Sequence, residues 1–468
     1  MKKESPRNFA KTFVPFRGLP LLTLLILAGQ PIQAELRIGI IGDQTGAADL
    51  DQAYKTLQQG IEKLSQQGRF DVFLHTGDLL ESSRPEVQVR KDFQRAVGLL
   101  NQLPAPWHMT PGDHDVNPPF SPGRALDRSR QELFKLLYSE LQPQVRQRLY
   151  YSFDVKGYHF IALDSLEHLG TDPRWGNVFR AQLSEKQIQW LETDLKRRRR
   201  SKGIIVFTHQ PLWYNWASWE RVHRLLSRYP VRAVIAGHFH YSQRDAFLDG
   251  IQYLVVGATG GSLKNASPSA GSLQAVYELT VRGGKVDLQI LPLSGASALA
   301  PPSRHDMDRV QAVDSVLDLL YGFSAVNSIY WQEGEPRESC AEAQPARLSL
   351  GQVGNPIDLP LNIELSLESD QVQVASSRFL PGVCLDEPAP LKCRLAPGIN
   401  IGLSNTSLVE LNSFAPVTIW EATLAAQSEP GSSGRINLSV QLSFADQSGG
   451  RMLLYRAVEV KIRPCMPP

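Results

Sequence analysis

The sequence has 468 residues, with 49 Lys and Arg against 47 Asp and Glu for a formal charge of +2. That is too long for one ordinary core and points to two or three domains of a globular protein. Without residues 1–34 the count becomes 44 basic against 46 acidic, net −2, so the mature chain offers no basic surface that argues for nucleic acid.

Those first 34 residues carry Lys2, Lys3, Arg7, Lys11 and Arg17 ahead of the apolar run "LPLLTLLILAG", and "IQA" ending at Ala34 suits a signal-peptidase cut. The pattern predicts a signal peptide over 1–34 and a periplasmic or extracellular location. Its apolar core falls short of the about 20 residues of a comfortable span, so no stable membrane span is expected after cleavage; an uncleaved anchor is the alternative.

From 35 to about 298, short apolar runs alternate with amphipathic segments. "LRIGIIGD", "FDVFLHTGD" and "PWHMTPGDHD" read as strands, and "LDQAYKTLQQGIEKLSQQ" and "PEVQVRKDFQRAVGLLNQ" have helical spacing. This β-α-β-α-β order predicts a sheet with helical crossovers, whose ligand crevice lies at the carboxyl ends of the strands. Residues 116–148, Pro-rich and then helical in "LDRSRQELFKLLYSEL", read as an insertion over those ends. "YYSFDV" with "YHFIALDS" reads as a hairpin, "LSEKQIQWLETDLKRRRR" as a helix opened by Ser184, and "GIIVFTHQP" and "VRAVIAGHFH" as buried strands. The basic run 196–200 reads as the solvated, dipole-matched end of that helix, with a phosphate-binding patch as the alternative. "DAFLDGIQYLVVGATGG" and "AVYELTVRGGKVDLQILPL" close the region as antiparallel pairs, so two sheets with helices outside them are expected.

A linker with a helix, "DMDRVQAVDSVLDLLYGF", is expected over 299–325, and an all-β sandwich-like domain over 326–468. Its strands are read in "LPLNIELSLESDQVQVAS", "SLVELNSF", "PVTIWEATLAAQ", "GRINLSVQLSF" and "RMLLYRAVEVKI", and it contains no histidine. All four cysteines fall there. In an exported chain they suggest two disulfides in one of three possible pairings, Cys384 with Cys393 being the local choice that leaves Cys340 to Cys465, against a zinc site whose close Cys-x-x-Cys pairs are missing.

Polar residues at the strand ends carry the chemistry: Asp43 in "IGDQT", Asp78 in "TGDLLE", Asp113, His114 and Asp115 in "TPGDHD", His209 in "FTHQP", and His238 and His240 in "AGHFH". Nothing in turn formation asks for this repetition. His75 and His159, each inside an apolar run, read as satisfied core residues. Carboxylates and imidazoles without thiolate suit Mn, Fe, Zn or Mg, and this many donors suffices for two ions, the usual device for attack on phosphorus.

The order GD…GD…GDHD…H…GHxH, over residues 37 to about 260, resembles the calcineurin-like metallophosphoesterase superfamily, which includes the purple acid phosphatases. The resemblance implies a double β-sheet sandwich flanked by helices and two divalent or trivalent metal ions, Mn, Fe or Zn. It would place Asp43, Asp78 and His240 on the first ion with Asp78 bridging, and Asp113, His209 and His238 on the second. His114 would contact the phosphate and protonate the leaving oxygen, and Asp115 would orient its imidazole. The first motif departs from the Asp-x-His of most of the family, reading Asp43-Gln44-Thr45, which leaves the first ion a ligand short. Purple acid phosphatases use a Tyr three residues after the second Gly-Asp; here Glu81 stands there, either as a substitute ligand or as a loop residue. Asp113 replaces the family's Asn.

The expectation is an exported metal-dependent phosphoesterase, with a catalytically retired member acting as an extracytoplasmic binding module as the alternative. The substrate would be a phosphorylated small molecule or headgroup. Trp213, Tyr214, Trp216 and Trp219 would either stack a base or sugar or serve packing, and Arg124, Arg128 and Arg244 are candidates for a second phosphate.

Overall fold

The computed structural model describes residues 35–46, 49–120, 126–172, 176–263, 268–295, 297–321, 329–332, 346–351, 357–368, 372–379, 381, 384–395, 418–426, 434–446 and 450–462. The leader, "SLVELNSF" at 407–414, Arg124, Cys340 and Cys465 lie outside the described residues.

In chain order come β1 (Leu36–Ile41), α1 (Leu50–Gln66), β2 (Val72–His75), α2 (Glu86–Leu100), β3 (Trp107–Met109), the single turn α3 (Asp113–Val116) and α4 (Ser129–Ser139). The hairpin β4 (Tyr151–Val155) and β5 (Tyr158–Ala162) follows, then a small pair β6 (Leu169–Asp172) and β7 (Gly176–Phe179) and α5 (Glu185–Arg197). Next are β8 (Ile204–Phe207), α6 (Trp216–Leu226), β9 (Val231–Ala236), β10 (Gln243–Leu248), β11 (Ile251–Val255), β12 (Ala275–Arg282), β13 (Lys285–Pro292) and α7 (Arg304–Tyr321).

Two sheets result, ordered β13-β12-β1-β2-β3 and β10-β11-β9-β8-β5-β4. β1, β2 and β3 are parallel, as are β5, β8, β9 and β11, so Asp43, Asp78, Asp113, His209 and His238 all follow carboxyl ends of parallel strands. Strand alternation assigns the faces. Ile205 and Phe207 of β8 join Ile38, Ile40, Phe73 and Leu279 in the core between the sheets. Ile204 and Val206 point the other way, onto Leu191 and Leu195 of α5 and Trp219 and Val222 of α6. Burial on both faces explains why these strands are continuously apolar rather than alternating.

Local signals set the helices. Asp49 caps α1 by accepting from the N–H groups of Asp51 and Gln52, and Ser184 caps α5 through Gln187. Lys196 and Arg197 occupy the last turn of α5, and the whole basic run 196–200 is exposed. The insertion helix behaves differently from expectation. Rather than lying only over the strand ends, α4 packs Phe134, Leu137 and Tyr138 into the main core, and the Tyr138 hydroxyl accepts from the Met109 N–H at 3.0 Å. It covers β3, the edge strand, because an edge with unpaired backbone groups needs a partner.

The carboxyl-terminal part holds β14 (Ile329–Gln332), β15 (Ala346–Gly351), β16 (Leu361–Glu368), β17 (Val372–Phe379), β18 (Lys392–Leu395), β19 (Thr418–Ala426), β20 (Gly434–Ala445) and β21 (Arg451–Ile462). They form two four-stranded sheets, β14-β15-β19-β17 and β18-β16-β20-β21. Trp420 and Phe379 of one sheet share a common core with Ile363, Val440 and Leu442 of the other, which makes this a β-sandwich. Cys384 and Cys393 form a disulfide. Met307, Val310 and Val313 of α7, together with Tyr241 and Ala270, complete the same core. Among the described residues no helix is long and apolar enough to cross a membrane.

Candidate metal centre

The chain turns sharply at each strand end, and the turns bring the donors together. Asp78, His238 and His240 have φ of 59°, 73° and 57°. Positive φ is costly for most side chains and concentrates where a site is over-determined by its surroundings. Gly112 lies against Asp78 so closely that a Cβ there would sit 2.0 Å from Asp78 Oδ1, and a Cβ on Gly237 would sit 2.8 Å from Asp43 Oδ2. Only glycine permits either approach.

Six of the expected donors fall into two groups. Asp43, Asp78 and His240 form one and Asp113, His209 and His238 the other, with the donor atoms of each group within 4.8 Å of one another. In the second group Asp113 Oδ1 lies 2.8 Å from His209 Nε2 and 3.1 Å from His238 Nδ1. His209 Nδ1 donates to the Thr76 carbonyl at 2.9 Å, which turns Nε2 toward the group. Asp78 stands between the groups, its Oδ1 3.5 Å from His209 Nε2. In the first group both Asp43 oxygens accept from the His238 N–H, and His240 Nδ1 donates to the Ser262 carbonyl. Ser262 and Thr76 were not singled out in the sequence; the "TGGS" run after β11 is the signal that marks the first.

Glu81 takes the part expected of Asp115. Asp115 is buried and does not hold the His114 imidazole: its carboxylate accepts from the N–H groups of Asp78 (2.9 Å), Leu80 (2.7 Å) and Gly112 (2.7 Å). Those bonds satisfy three backbone donors that a tight double turn leaves without partners, so Asp115 braces the two Gly-Asp loops against each other. The carboxylate on His114 Nδ1 is Glu81, at 2.7 Å, while its other oxygen accepts from Ser83. Glu81 therefore stands outside both donor groups. The His114 N–H donates to Asp78 Oδ1 at 2.9 Å.

Electrostatics follow from this crowding. Burial pushes the Asp78 carboxyl up to about 7, against the pull of His209. Asp113 is buried too, yet its hydrogen bonds with His209 and His238 hold it well below the usual carboxylate range. Burial opposes the charge of His114, but the Glu81 bond and the nearby Asp78 and Asp113 carry it up to about 10. Carboxylates gathered this closely around imidazoles also favour a cation. The donor chemistry, carboxylate oxygen and imidazole nitrogen in two compact clusters, fits two ions of the borderline or hard kind.

The aromatic run splits. Trp213 and Trp219 are buried in the core beneath α6 and serve packing, while Tyr214 and Trp216 are 39% and 42% exposed. Phe239, between the two metal-side histidines, packs edge-on against Tyr214 and stacks with Tyr241. Arg128 donates to Gln131 and to the Glu167 carbonyl, and Arg244 is exposed on β10.

Comparisons with known proteins cover the same region. Residues 36–242 match the family model described as calcineurin-like phosphoesterase. Purple acid phosphatase 22 of Arabidopsis thaliana is 28% identical over 186 residues, 37% of this chain and 39% of that protein. A 3′,5′-cyclic-nucleotide phosphodiesterase of Nostoc sp. is 27% identical over 202 residues, 41% of this chain and 64% of that protein. The chain thus spans about two fifths of the length of the plant relative it matches. A crystal structure of a dimetal phosphatase from Danio rerio aligns with a TM-score of 0.42 at 14% identity, covering 57% of this chain and 98% of that one. Residues 36–242 of this chain belong to the calcineurin-like phosphoesterase superfamily.

Proposed function

We propose that the protein is an exported phosphoesterase that hydrolyses a phosphate ester at a dinuclear metal centre. The observation that carries this reading is the pair of three-residue donor groups with Asp78 between them. Asp43, Asp78 and His240 would hold one ion and Asp113, His209 and His238 the other; two such ions lower the pKa of a water and screen the charge of the ester.

The chain's own residues do the rest. The His114 side chain is 37% exposed, whereas Asp43 and His209 are fully buried. Glu81 on Nδ1 favours the protonated imidazole and leaves Nε2–H to donate to the departing alkoxide oxygen. The backbone bond from His114 to Asp78 fixes that donor at the rim of the metal pocket. Asp115 would hold the two donor loops together through the backbone N–H groups of Asp78 and Gly112. The related purple acid phosphatases and cyclic-nucleotide phosphodiesterase support a phosphorylated small-molecule or headgroup substrate. The leader pattern and the Cys384–Cys393 disulfide support a periplasmic or extracellular location.

Elemental analysis of residues 35–468, followed by a phosphoester screen, tests the reading. Two ions per chain and turnover that Asp78→Asn abolishes are expected. The Asp43-Gln44-Thr45 departure favours a second reading, the catalytically retired binding module, and a chain that takes up no ion from manganese, iron or zinc would establish it in place of the enzyme.

A further inference from the structure

The near-even total of charges hides an uneven distribution. The basic run 196–200 at the end of α5 is exposed throughout, yet only part of it serves the helix. Lys196 and Arg197 lie in the last turn, where a positive charge complements the dipole, and that effect fades beyond the turn. Lys196 pairs with Glu192 and Arg198 with Asp154, each at 2.8 Å. Among the described residues Arg197, Arg199 and Arg200 form no ion pair. Neither does Arg228, which stands just after α6 within Coulombic reach of Lys196.

These charges gather at one end of the fold. Arg200 and Lys202 lead into β8 and Arg228 into β9, at the amino ends of the parallel strands whose carboxyl ends precede His209 and His238. The Ile204 N–H donates to the Pro230 carbonyl, which ties the two approaches together. The chain also enters the fold here. Glu35 pairs with Arg282 just before β1, and Gly284, in the turn beside Arg282, would carry a Cβ 3.3 Å from Arg232 Cζ. Arg232 reaches back to β8, its Cγ 3.1 Å from the ideal Cβ of Gly203. Whatever peptide precedes Glu35 therefore leaves from the basic end.

We infer that this face, with Arg197, Arg199, Arg200 and Arg228 at its centre, docks on an anionic lipid surface. Exposed guanidinium groups without counter-ions recognise phosphate oxygens by charge and by forked hydrogen bonds. The leader pattern of residues 1–34 carries the chain to a bilayer, and Glu35 puts the exit of the leader beside the face, so the inference rests on the exported reading above. Nucleic acid is the poorer fit: among the described residues, no exposed aromatic ring stands in 196–202 or 228–232 to stack a base. No exposed large apolar side chain stands there either, so the attachment is electrostatic and reversible. Docked in this way, the strand ends that carry the donor groups point away from the bilayer, and the phosphoester reaches them from solution.

The test is co-sedimentation of residues 35–468, a compact unit without the leader, with vesicles of phosphatidylcholine alone and of phosphatidylcholine and phosphatidylglycerol in equal parts. Binding to the anionic vesicles only, reversed by added salt, is expected. The combined variant Arg197→Gln, Arg199→Gln, Arg200→Gln and Arg228→Gln should bind them about tenfold or more weakly. A control that removes the same charge at other exposed positions, Lys55→Gln, Lys91→Gln, Arg146→Gln and Arg451→Gln, should bind like wild type. The comparison of the two vesicles needs no variant, so it stands even where a variant folds poorly. Equal binding to both vesicles, no binding to either, an arginine variant that binds like wild type, or an equal loss in the control would overturn the proposal. Tighter retention on a single-stranded oligonucleotide than on the anionic vesicles would overturn it too, in favour of nucleic acid. Export is checked apart from all of these by amino-terminal sequencing of chain expressed with its leader, and the metal count by the elemental analysis above.

Discussion

Two strand ends with the same sequence signature reach different ends. β2 runs through "VFLHTGD" to Asp78, and β5 runs through "YHFIALD" to Asp164; each is an apolar strand closed by a buried aspartate. Asp78 faces donors from three other loops. Asp164 faces the fold: Oδ1 accepts from the Leu166 N–H at 2.9 Å, and its backbone exchanges bonds with the Gln187 amide of α5. The residue before each explains the difference. Gly77 precedes Asp78, and Gly42, Gly112 and Gly237 precede Asp43, Asp113 and His238, whereas Leu163 precedes Asp164 and is fully buried in the core. A strand-end carboxylate joins a donor group where glycine lets a second loop approach to contact distance.

The comparison can be broken at the glycine. Gly112→Ala forces a methyl onto Asp78 Oδ1, which has no room to yield because it also accepts from His114. Both donor groups should lose their geometry, with activity down more than ~10³-fold, in keeping with the cost of displacing groups that stabilise a transition state. Metal retained at two ions per chain in that variant would contradict the argument.

His114 and Glu81 sharpen it, since they stand outside both donor groups and the proposed function gives them the proton transfer. His114→Ala should lower kcat by about 10²–10⁴, the usual contribution of a general acid, with both ions still bound. Glu81→Gln should cost roughly tenfold, because an amide still positions the ring but no longer favours its protonated form. A steady-state comparison with a poor and a good leaving group checks the role. If the loss does not shrink for the good leaving group, His114 is not the acid.

The smallest effect belongs to Asp164. Burial pushes its carboxyl up to about 7. The unfolded chain therefore releases that proton first, near the ordinary carboxylate pKa, and native stability falls as pH rises from about 4 toward 7. Asp164→Asn cannot ionise, so urea unfolding of the variant should show a flatter dependence across that window, by up to ~1.4 kcal/mol per pH unit. Parallel curves for the two proteins would refute the assignment.

How far the sequence could be read follows from range. The β-α-β frame was legible because each parallel strand is a short apolar run and each helix keeps a buried stripe, as in Leu57, Ile61 and Leu64 of α1. The donor residues were legible because each ends such a run. The choice of Glu81 over Asp115 as the partner of His114 was not, since Glu81 meets His114 across 33 positions and only the folded double turn decides which carboxylate points where. In the sandwich, the single run read at 359–376 is two strands, β16 and β17, which lie in different sheets. Periodicity continues across such a break, and nothing local marks a change of sheet. The short strands β14, β15 and β18 gave too few residues for alternation to register.

Phe239 carries a consequence for how this gene product should be divided. The side chain packs against the core behind α6 and against the core of the sandwich, while its neighbours on both sides, His238 and His240, belong to the two donor groups. A chain ended after residue 298 would bare that ring, together with Tyr241 and Ala270, on the rim of the pocket. The carboxyl-terminal sandwich is therefore less an appendage than the backing of the segment that carries both histidines.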